Sequence, residues 1–470
     1  MKILLISSPI ALLSIENFAR LPSLGLASIA GNLDKSVYDI KIADLILAPG
    51  NPDRYFKKLL SELKPDMIGF SAMTFQYSNT LKLAKIAKEF NHEITTVLGG
   101  YHATTAYKEI LLNDYDMSVL DFVVRGEGET TMKKLLKFLY DIESLSKIPG
   151  LSFRINGKVQ HNIPYIPEKE KVISSILPPD RSLRVLKRGF YLLGHKAETV
   201  ETSRGCIFAC DYCSINSMYG KNFRTYDIER VIDDIKSVRN TGAKFIFLVD
   251  DNITLDVTHL KKLCKRITEE KLNNLNYVVQ VPIHPFLKNP DLPGIMCSAG
   301  IKYLFISIES PERQKIGYAD DVVQVVSAFR QFGAFILGGF VVGLPDDNEE
   351  KLQAMYKFAK QTSIDLVAFM ILTPYPGTET RKQLKQQGLI SNLDDYSKYV
   401  HIYANIRTEN LSSQEIATIA WKMNARYLLE SGKIFRLFKK FPMHITKRIF
   451  LEFIKAPKNM LERIKGIKKL

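Results

Sequence analysis

Three cysteines carry the clearest chemistry in this chain. The segment TSRGCIFACDYCS spaces Cys206, Cys210 and Cys213 as C-x3-C-x2-C, whereas Cys264 and Cys297 stand alone. Three thiolates on one short loop can each hold an iron of a cubane cluster, because soft thiolates select iron–sulfur clusters and zinc. The fourth iron is then open to a substrate or cofactor. A structural zinc site would need closure by a fourth Cys or His, and His195 is the nearest such residue in sequence. Five cysteines in 470 residues are too few and too uneven for a disulfide scaffold. Clustered as they are, they point to metal in a reduced compartment. Cys264 and Cys297 read as core.

Carboxylates close two apolar runs downstream. KFIFLVDDN ends in Asp250, Asp251 and Asn252, and YLFISIES ends in Glu309 and Ser310. On a strand, Asp250 and Asp251 point to opposite sides, so one of them is free simply to cap the following helix. A carboxylate at Glu309 would be costly to bury unless it is paired or meets a ligand.

The elements that position these groups follow from the alternation of apolar strands and amphipathic helices. Over the first 145 residues, MKILLISSP, YDIKIADL, PDMIGFSA, EITTVLGG and LDFVV read as strands between helices, a pattern that predicts a doubly wound parallel sheet. Ligands of such sheets bind beyond the carboxyl ends of the strands. Those ends carry Ser71 and Thr74, Gly99 and Gly100, and Gly126-Glu127-Gly128-Glu129. Residues 146–196 read as a connector that contains an Asn-Gly hairpin, LSFRINGKVQHN. From 197 to 390, six strand–helix units (198–205, 244–252, 276–281, 303–310, 334–345 and 365–376) predict a partial, open parallel barrel with its working face at the strands' carboxyl ends. Residues 391–470 read as helical, opened by a Ser/Glu capping box.

Charge is unevenly spread. The chain carries 65 basic and 50 acidic residues, a net +15. Residues 433–470 hold twelve Lys or Arg against Glu452 and Glu462, so that segment accounts for +10 and the remaining 432 residues for only +5. The body is therefore not expected to bind nucleic acid. The basic tail interleaves Ile, Leu and Phe with Lys and Arg, which suits either an anionic membrane surface or a helical lid over the barrel. Hydrophobic residues make up 46% and mean hydropathy is -0.06, ordinary globular values. No stretch approaches the ~20 apolar residues of a spanning helix. The N-terminal apolar run is broken by Ser-Ser-Pro and Glu16, which reads as a first buried strand of a cytoplasmic protein, peripheral at the inner membrane surface if the tail engages lipid.

The cysteine spacing, with Tyr212 before the last Cys, resembles the radical S-adenosylmethionine (SAM) superfamily. Further segments of the family pattern follow in order. Asp250-Asp251-Asn252 lies where members contact the SAM amine. Ser307-Ile308-Glu309-Ser310 resembles the segment at the methionyl or ribose portion, although Ser307 replaces the usual Gly. GGFVVGLPDDNEE, containing Gly343, resembles the segment near the adenine, with Asp346-Asp347 in place of Gly-Glu. LTPYPGTE, containing Pro374, is similar to a segment of one large subgroup. That subgroup carries an N-terminal cobalamin-binding domain, which residues 1–145 resemble through Pro22-Ser23-Leu24-Gly25, Gly69-Phe70-Ser71, Gly99-Gly100-Tyr101-His102 and Gly126-Glu127-Gly128-Glu129. The D-x-H-x-x-G motif that supplies a lower axial His to cobalt is absent, which implies base-off cobalamin. His102, the one His in these loops, is left as a cobalt ligand or a contact to the corrin or its nucleotide tail.

The resemblance implies three cofactors: a [4Fe-4S] cluster, SAM and cobalamin. It also implies a one-electron reductant of flavodoxin or ferredoxin type. The reduced cluster would cleave SAM to a 5′-deoxyadenosyl radical that removes hydrogen from an unactivated carbon of a small-molecule or lipid-like substrate, and methylcobalamin would then deliver a methyl group. The alternatives are a non-methylating oxidoreductase or cyclase resembling the anaerobic magnesium-protoporphyrin ester cyclases, and a non-catalytic iron–sulfur or zinc regulator. A methylthiotransferase would need cysteines before residue 206, and there are none.

Overall fold

A computed structural model describes residues 1–9, 19–112, 118–167, 171–309, 317–430 and 441. The first sheet is built from β1 (Lys2–Ser7), β2 (Asp39–Asp44), β3 (Met67–Ser71), β4 (Thr95–Gly99), β5 (Phe122–Val124), β6 (Leu151–Ile155) and β7 (Lys158–His161). Its order is β2-β1-β3-β4-β5-β6-β7. The first five strands run parallel. Because side chains alternate across a strand, the sheet feeds two cores. Leu4, Ile6, Phe70, Leu98 and Val123 pack on one face, and Ile3, Leu5, Met67, Val97 and Val124 on the other. The strand order reverses between β1 and β3, and such a switch point is where open α/β sheets bind ligands. The Asn156–Gly157 hairpin of residues 151–161 adds β6 and β7 antiparallel to the far edge, so this part of the connector belongs to the first sheet.

The second sheet runs in sequence order: β8 (His195–Val200), β9 (Phe245–Leu248), β10 (Asn276–Pro282), β11 (Ile301–Glu309), β12 (Phe335–Val342) and β13 (Leu366–Ile371). All six are parallel. Tyr191–Leu192 and then Ala19–Arg20 extend the sheet antiparallel beyond β8, so among the described residues the barrel is open. The helices on its outer face start where a side chain can take up free N–H groups: Asp227 before Ile228–Asn240, Asp256 before Val257–Glu269 and Asn348 before Glu349–Gln361. Cys264 and Cys297 are buried in the apolar core between these helices and the sheet.

One strand ends earlier than its sequence suggests. The run 198–205 leaves the barrel at Val200, and Ser203–Arg204 joins a small sheet with Arg224–Tyr226 and Val172–Ile173. The cause is local. The buried Asp250 carboxylate accepts from the Thr202 and Ser203 hydroxyls (2.6 and 2.5 Å) and from the Thr202 N–H (3.2 Å), which draws the chain off the barrel axis. Helix Ser413–Glu430 carries the expected capping box, with the Ser412 N–H donating to Glu415 at 2.8 Å and the Glu415 N–H to the Ser412 hydroxyl at 3.3 Å. The basic tail lies outside the described residues except for Phe441, which is buried against Phe335 and Tyr303.

Candidate functional site

The cysteine loop follows β8 at the carboxyl end of the half-barrel. Gly205 turns it with φ +84°, and a Cβ there would stand 2.2 Å from the Asn222 carbonyl oxygen, so no other residue fits. Asp251 accepts the Gly205 N–H at 2.9 Å. Asn252 caps the Thr254 N–H and also hydrogen-bonds the Cys206 thiol. The three thiols are partly exposed. Burial pushes each of them up, Cys213 to about 11, and the neighbouring thiols add to the effect at Cys210 and Cys213. Metal binding releases such protons. Among the described residues no three His, Cys, Asp or Glu side chains converge on one metal-ion position. Three thiols within eight residues of one loop suit a cubane, where each takes a different iron. His195 is remote from them, at the amino end of β8 with its ring stacked on Phe245 at 5.0 Å.

Beside the loop lies a cavity of about 230 Å³, lined by Asp211, Tyr212, Glu309, Val341, Leu344 and Gln383 among others. The Tyr212 hydroxyl donates to Glu309 at 2.5 Å. Glu309 closes β11 just after a register shift and holds φ at +63°, a conformation that costs a non-glycine residue about 1–3 kcal/mol. The strain aims its carboxylate at the motif tyrosine. Gly343 and Pro374 stand behind this cavity. The Asp347 carboxylate accepts the Gly343 and Leu344 N–H groups at 2.8 and 2.9 Å, and the Pro374 carbonyl accepts from Arg381 at 3.1 Å. Asp347, the departure from the family pattern, therefore stiffens the loop after β12. Ser310 lies outside the described residues.

A second cleft, about 380 Å³, opens at the switch point of the first sheet. Gly25, Ser71, Gly99, Gly100 and Gly126 line it from that sheet, while Arg204, Tyr219 and Asp251 close it from the half-barrel. Gly100 holds φ +93°, and a Cβ there would lie 2.8 Å from the Ala72 carbonyl oxygen. Burial, with Glu201 and Asp250 nearby, pushes Asp251 up to about 7.

Four of the expected contact residues are buried in turns, packing or hydrogen bonds of the protein's own. Thr74 is buried in a turn outside the cleft lining. The His102 ring is fully buried between Tyr77 (4.1 Å) and Tyr396 (4.8 Å), with neither nitrogen hydrogen-bonded. Burial and then the Arg381 charge push it down to about 3. Glu127 reaches the cleft, but its carboxylate is taken by Arg204 (3.4 Å) and Arg224. Asp250 is spent on Thr202 and Ser203. For His102, Glu127 and Asp250 the physical reason is the same, a partner supplied by a segment distant in sequence.

Two family models match the chain: the B12 binding domain over residues 14–136 and the radical SAM superfamily over residues 200–359. An uncharacterized methyltransferase of Pyrococcus horikoshii is 31% identical over 415 residues, covering 87% of this chain and 88% of that protein. The chain belongs to the cobalamin-dependent radical SAM enzymes. A hopanoid C-3 methylase of Methylococcus capsulatus is 26% identical over 79% of this chain and 70% of its own length. The fold matches the cobalamin-dependent SAM radical enzyme OxsB, solved with aqua-cobalamin and SAM bound, at a TM-score of 0.71 and 15% identity, covering 98% of this chain and 71% of that one.

As a cobalamin-dependent radical SAM enzyme, the chain uses cobalamin, SAM and a [4Fe-4S] cluster, and the residues present suit them. The second cleft has a glycine-lined floor, and among the described residues no His side chain lines it. The cysteine loop offers a soft, three-thiol donor set. Several groups at these clefts have no sequence signature of their own: Tyr219, which is hydrogen-bonded to Tyr101, Glu201 at the cleft wall, and Thr380, Gln383 and Gln387 around the smaller cavity.

Proposed function

We propose that this cobalamin-dependent radical SAM enzyme methylates an unactivated carbon of a small-molecule substrate. One observation carries the reading: Arg204, two residues before Cys206, and Asp251, which accepts the Gly205 N–H at the start of the cysteine loop, also line the glycine-floored cleft of the first sheet, together with Tyr219. In this reading Cys206, Cys210 and Cys213 hold the cluster. Tyr212, Glu309 and the cavity wall of Val341 and Leu344 hold SAM, with Asn252 supporting the first cysteine. Gly25, Ser71, Gly99, Gly100 and Gly126 cradle cobalamin. When bound, these groups supply radical generation from SAM and a transferable methyl group. The chain's own work is to fix their orientation and to keep water from the junction between the two clefts.

The test is product analysis after anaerobic reconstitution with iron, sulfide, hydroxocobalamin and a low-potential reductant, with extracts of the native cell as substrate source. Methyl transfer consumes one SAM for the radical and one to recharge the cobalt, so 5′-deoxyadenosine and S-adenosylhomocysteine should form in similar amounts. Formation of 5′-deoxyadenosine alone would favour a cyclase-like reaction.

The relative that methylates hopanoids, together with the +10 tail, supports a lipid-like substrate met at an anionic membrane surface of the cytoplasm; the one electron that SAM cleavage needs would come from a flavodoxin- or ferredoxin-like donor. Each Lys or Arg near such a surface contributes at most ~1 kcal/mol, screened within about a Debye length. Full-length protein should therefore sediment with anionic liposomes, partly released by salt, and a 1–432 truncation should not. Equal sedimentation of the two would sink the membrane reading. No helix among the described residues is long and apolar enough to cross a membrane.

A further inference from the structure

Two arginines stand directly opposite each other in the small sheet, Arg204 paired with Arg224 in antiparallel register. Like charges at facing positions repel, and both side chains are buried. Such a pair persists only if acids are brought to it. Three acids come from two places. Glu127 and Glu129 follow β5 of the first sheet, and Glu201 follows β8. The Arg204 guanidinium donates to Glu129 at 2.7 Å, to Glu201 at 2.9 Å and to Glu127 at 3.4 Å, while Arg224 takes the other oxygen of Glu127. Glu129 also accepts from the Ser28 hydroxyl at 2.6 Å. Burial works against the Glu129 charge, yet Arg204 and Ser28 together hold its carboxyl below the usual range.

The connectivity gives this network its meaning. Ser28 belongs to the Leu24–Gly31 helix, whose first turn lines the larger cleft. Glu127 and Glu129 flank the next stretch of that wall. Arg204 lies two residues before Cys206, and Gly205 between them is held by the Asp251 carboxylate through its N–H at 2.9 Å. A continuous path of short polar contacts therefore runs from the cleft wall through Glu129 and Arg204 to the cysteine loop. We infer that the Glu127–Glu129–Arg204–Arg224 network is a positioning clamp that sets the distance between the bound cobalt and the iron–sulfur cluster. The inference rests on the proposed placement of cobalamin in the larger cleft. Arg204 and the two glutamates act through the backbone they hold, and touch no reacting atom.

The test uses full-length protein carrying both cofactors. Iron and cobalamin content are measured first, because failure to load cobalamin in the native protein would sink the placement, which is a separate matter from the clamp. The magnetic interaction between cob(II)alamin and the reduced cluster is then read by pulsed electron paramagnetic resonance in native protein, Arg204→Lys and Glu129→Gln. Native protein should give one narrow distance. The variants should keep both cofactors but show a longer or broader distance, and the double variant should be no worse than the poorer single one, since one chain of contacts is cut either way. An unchanged distance in loaded variants would overturn the clamp. So would loss of cobalamin with the cluster intact, which would make these acids direct cofactor contacts. Glu129→Gln is nearly isosteric and guards against gross misfolding by Arg204→Lys. Unfolding on that change as well would mark the network as a general stability element and overturn the inference too.

Discussion

Tyr212 shows how much a single hydroxyl can carry. Its ring supplies the aromatic position of the cysteine motif, and its oxygen holds the strained Glu309 carboxylate at 2.5 Å. Tyr212→Phe keeps the ring and removes the hydrogen bond, which is worth about 1.5–3 kcal/mol when one partner is charged. SAM affinity, read by calorimetry on cluster-loaded protein, should fall about ten-fold or more with iron content unchanged. His102 makes the opposite case, of chemistry that the sequence invites and packing withdraws. Its buried imidazole is pushed from 6.5 down to about 3, by burial first and Arg381 second. Between those values the unfolded chain binds a proton that the folded chain refuses, so the stability is complete above pH 6.5 and drains away as pH falls toward 3. At pH 5 the loss is on the order of 2 kcal/mol. His102→Phe should flatten this acid limb in denaturant titrations and leave the spectrum of bound cobalamin unchanged. Ligand type was readable wherever the ligands are contiguous, as in the cysteine motif. It was not readable at His102, Glu127 or Asp250, because their partners (Tyr396, Arg204 and Arg224, Thr202) come from segments that only the fold brings near.

At the level of strands and loops, the short apolar runs between helical segments were enough to locate all six barrel strands and the five parallel strands of the first sheet. Where both faces are buried the strands read as near-continuous Val, Ile, Leu and Phe, as in KILLIS and FIFL. The small sheet of Val172–Ile173, Ser203–Arg204 and Arg224–Tyr226 left no such trace, since two- and three-residue strands have no period to detect. The loops after strands depend instead on backbone freedom. Gly205→Ala would place a methyl group 2.2 Å from a carbonyl oxygen and oppose φ +84°. That variant should lose most of its reconstituted iron although every cysteine remains, as iron and sulfide analysis would show. If Gly205→Ala loads like the native protein, the loop is softer than its geometry implies. Gly100→Ala, 2.8 Å from the Ala72 carbonyl oxygen, should lower cobalamin retention on gel filtration without affecting iron.

Across the whole molecule, the two halves are joined by more than the connector. A second buried ion chain runs from Arg184 to Glu198 (2.5 Å), on through Arg181 (2.9 Å) to Asp234 (2.5 Å), with Asp44 of the first sheet 4.0 Å from Arg184. Breaking one partner of a buried pair costs about 3–5 kcal/mol, so the halves should unfold as one. The larger cleft also takes wall residues from both. A fragment ending at residue 165 completes the first sheet but lacks Arg204, Met218, Tyr219 and Asp251. Equilibrium dialysis should find it binding cobalamin much more weakly than the full chain. Equal affinity would mean that the first sheet alone makes the site.

Ala19–Arg20 pairs with Tyr191–Leu192 at the barrel's edge, the Arg20 guanidinium lying 5.6 Å from the centre of the Tyr191 ring. During synthesis this short strand leaves the ribosome long before its partner exists. Closing so long a loop is slow, and the edge stays open to other chains until it closes. The barrel cannot then be finished by its own sequence alone. A version of the enzyme assembled from separately expressed halves, or shuffled onto a different first domain, would inherit a bare β-strand edge and with it a tendency to aggregate.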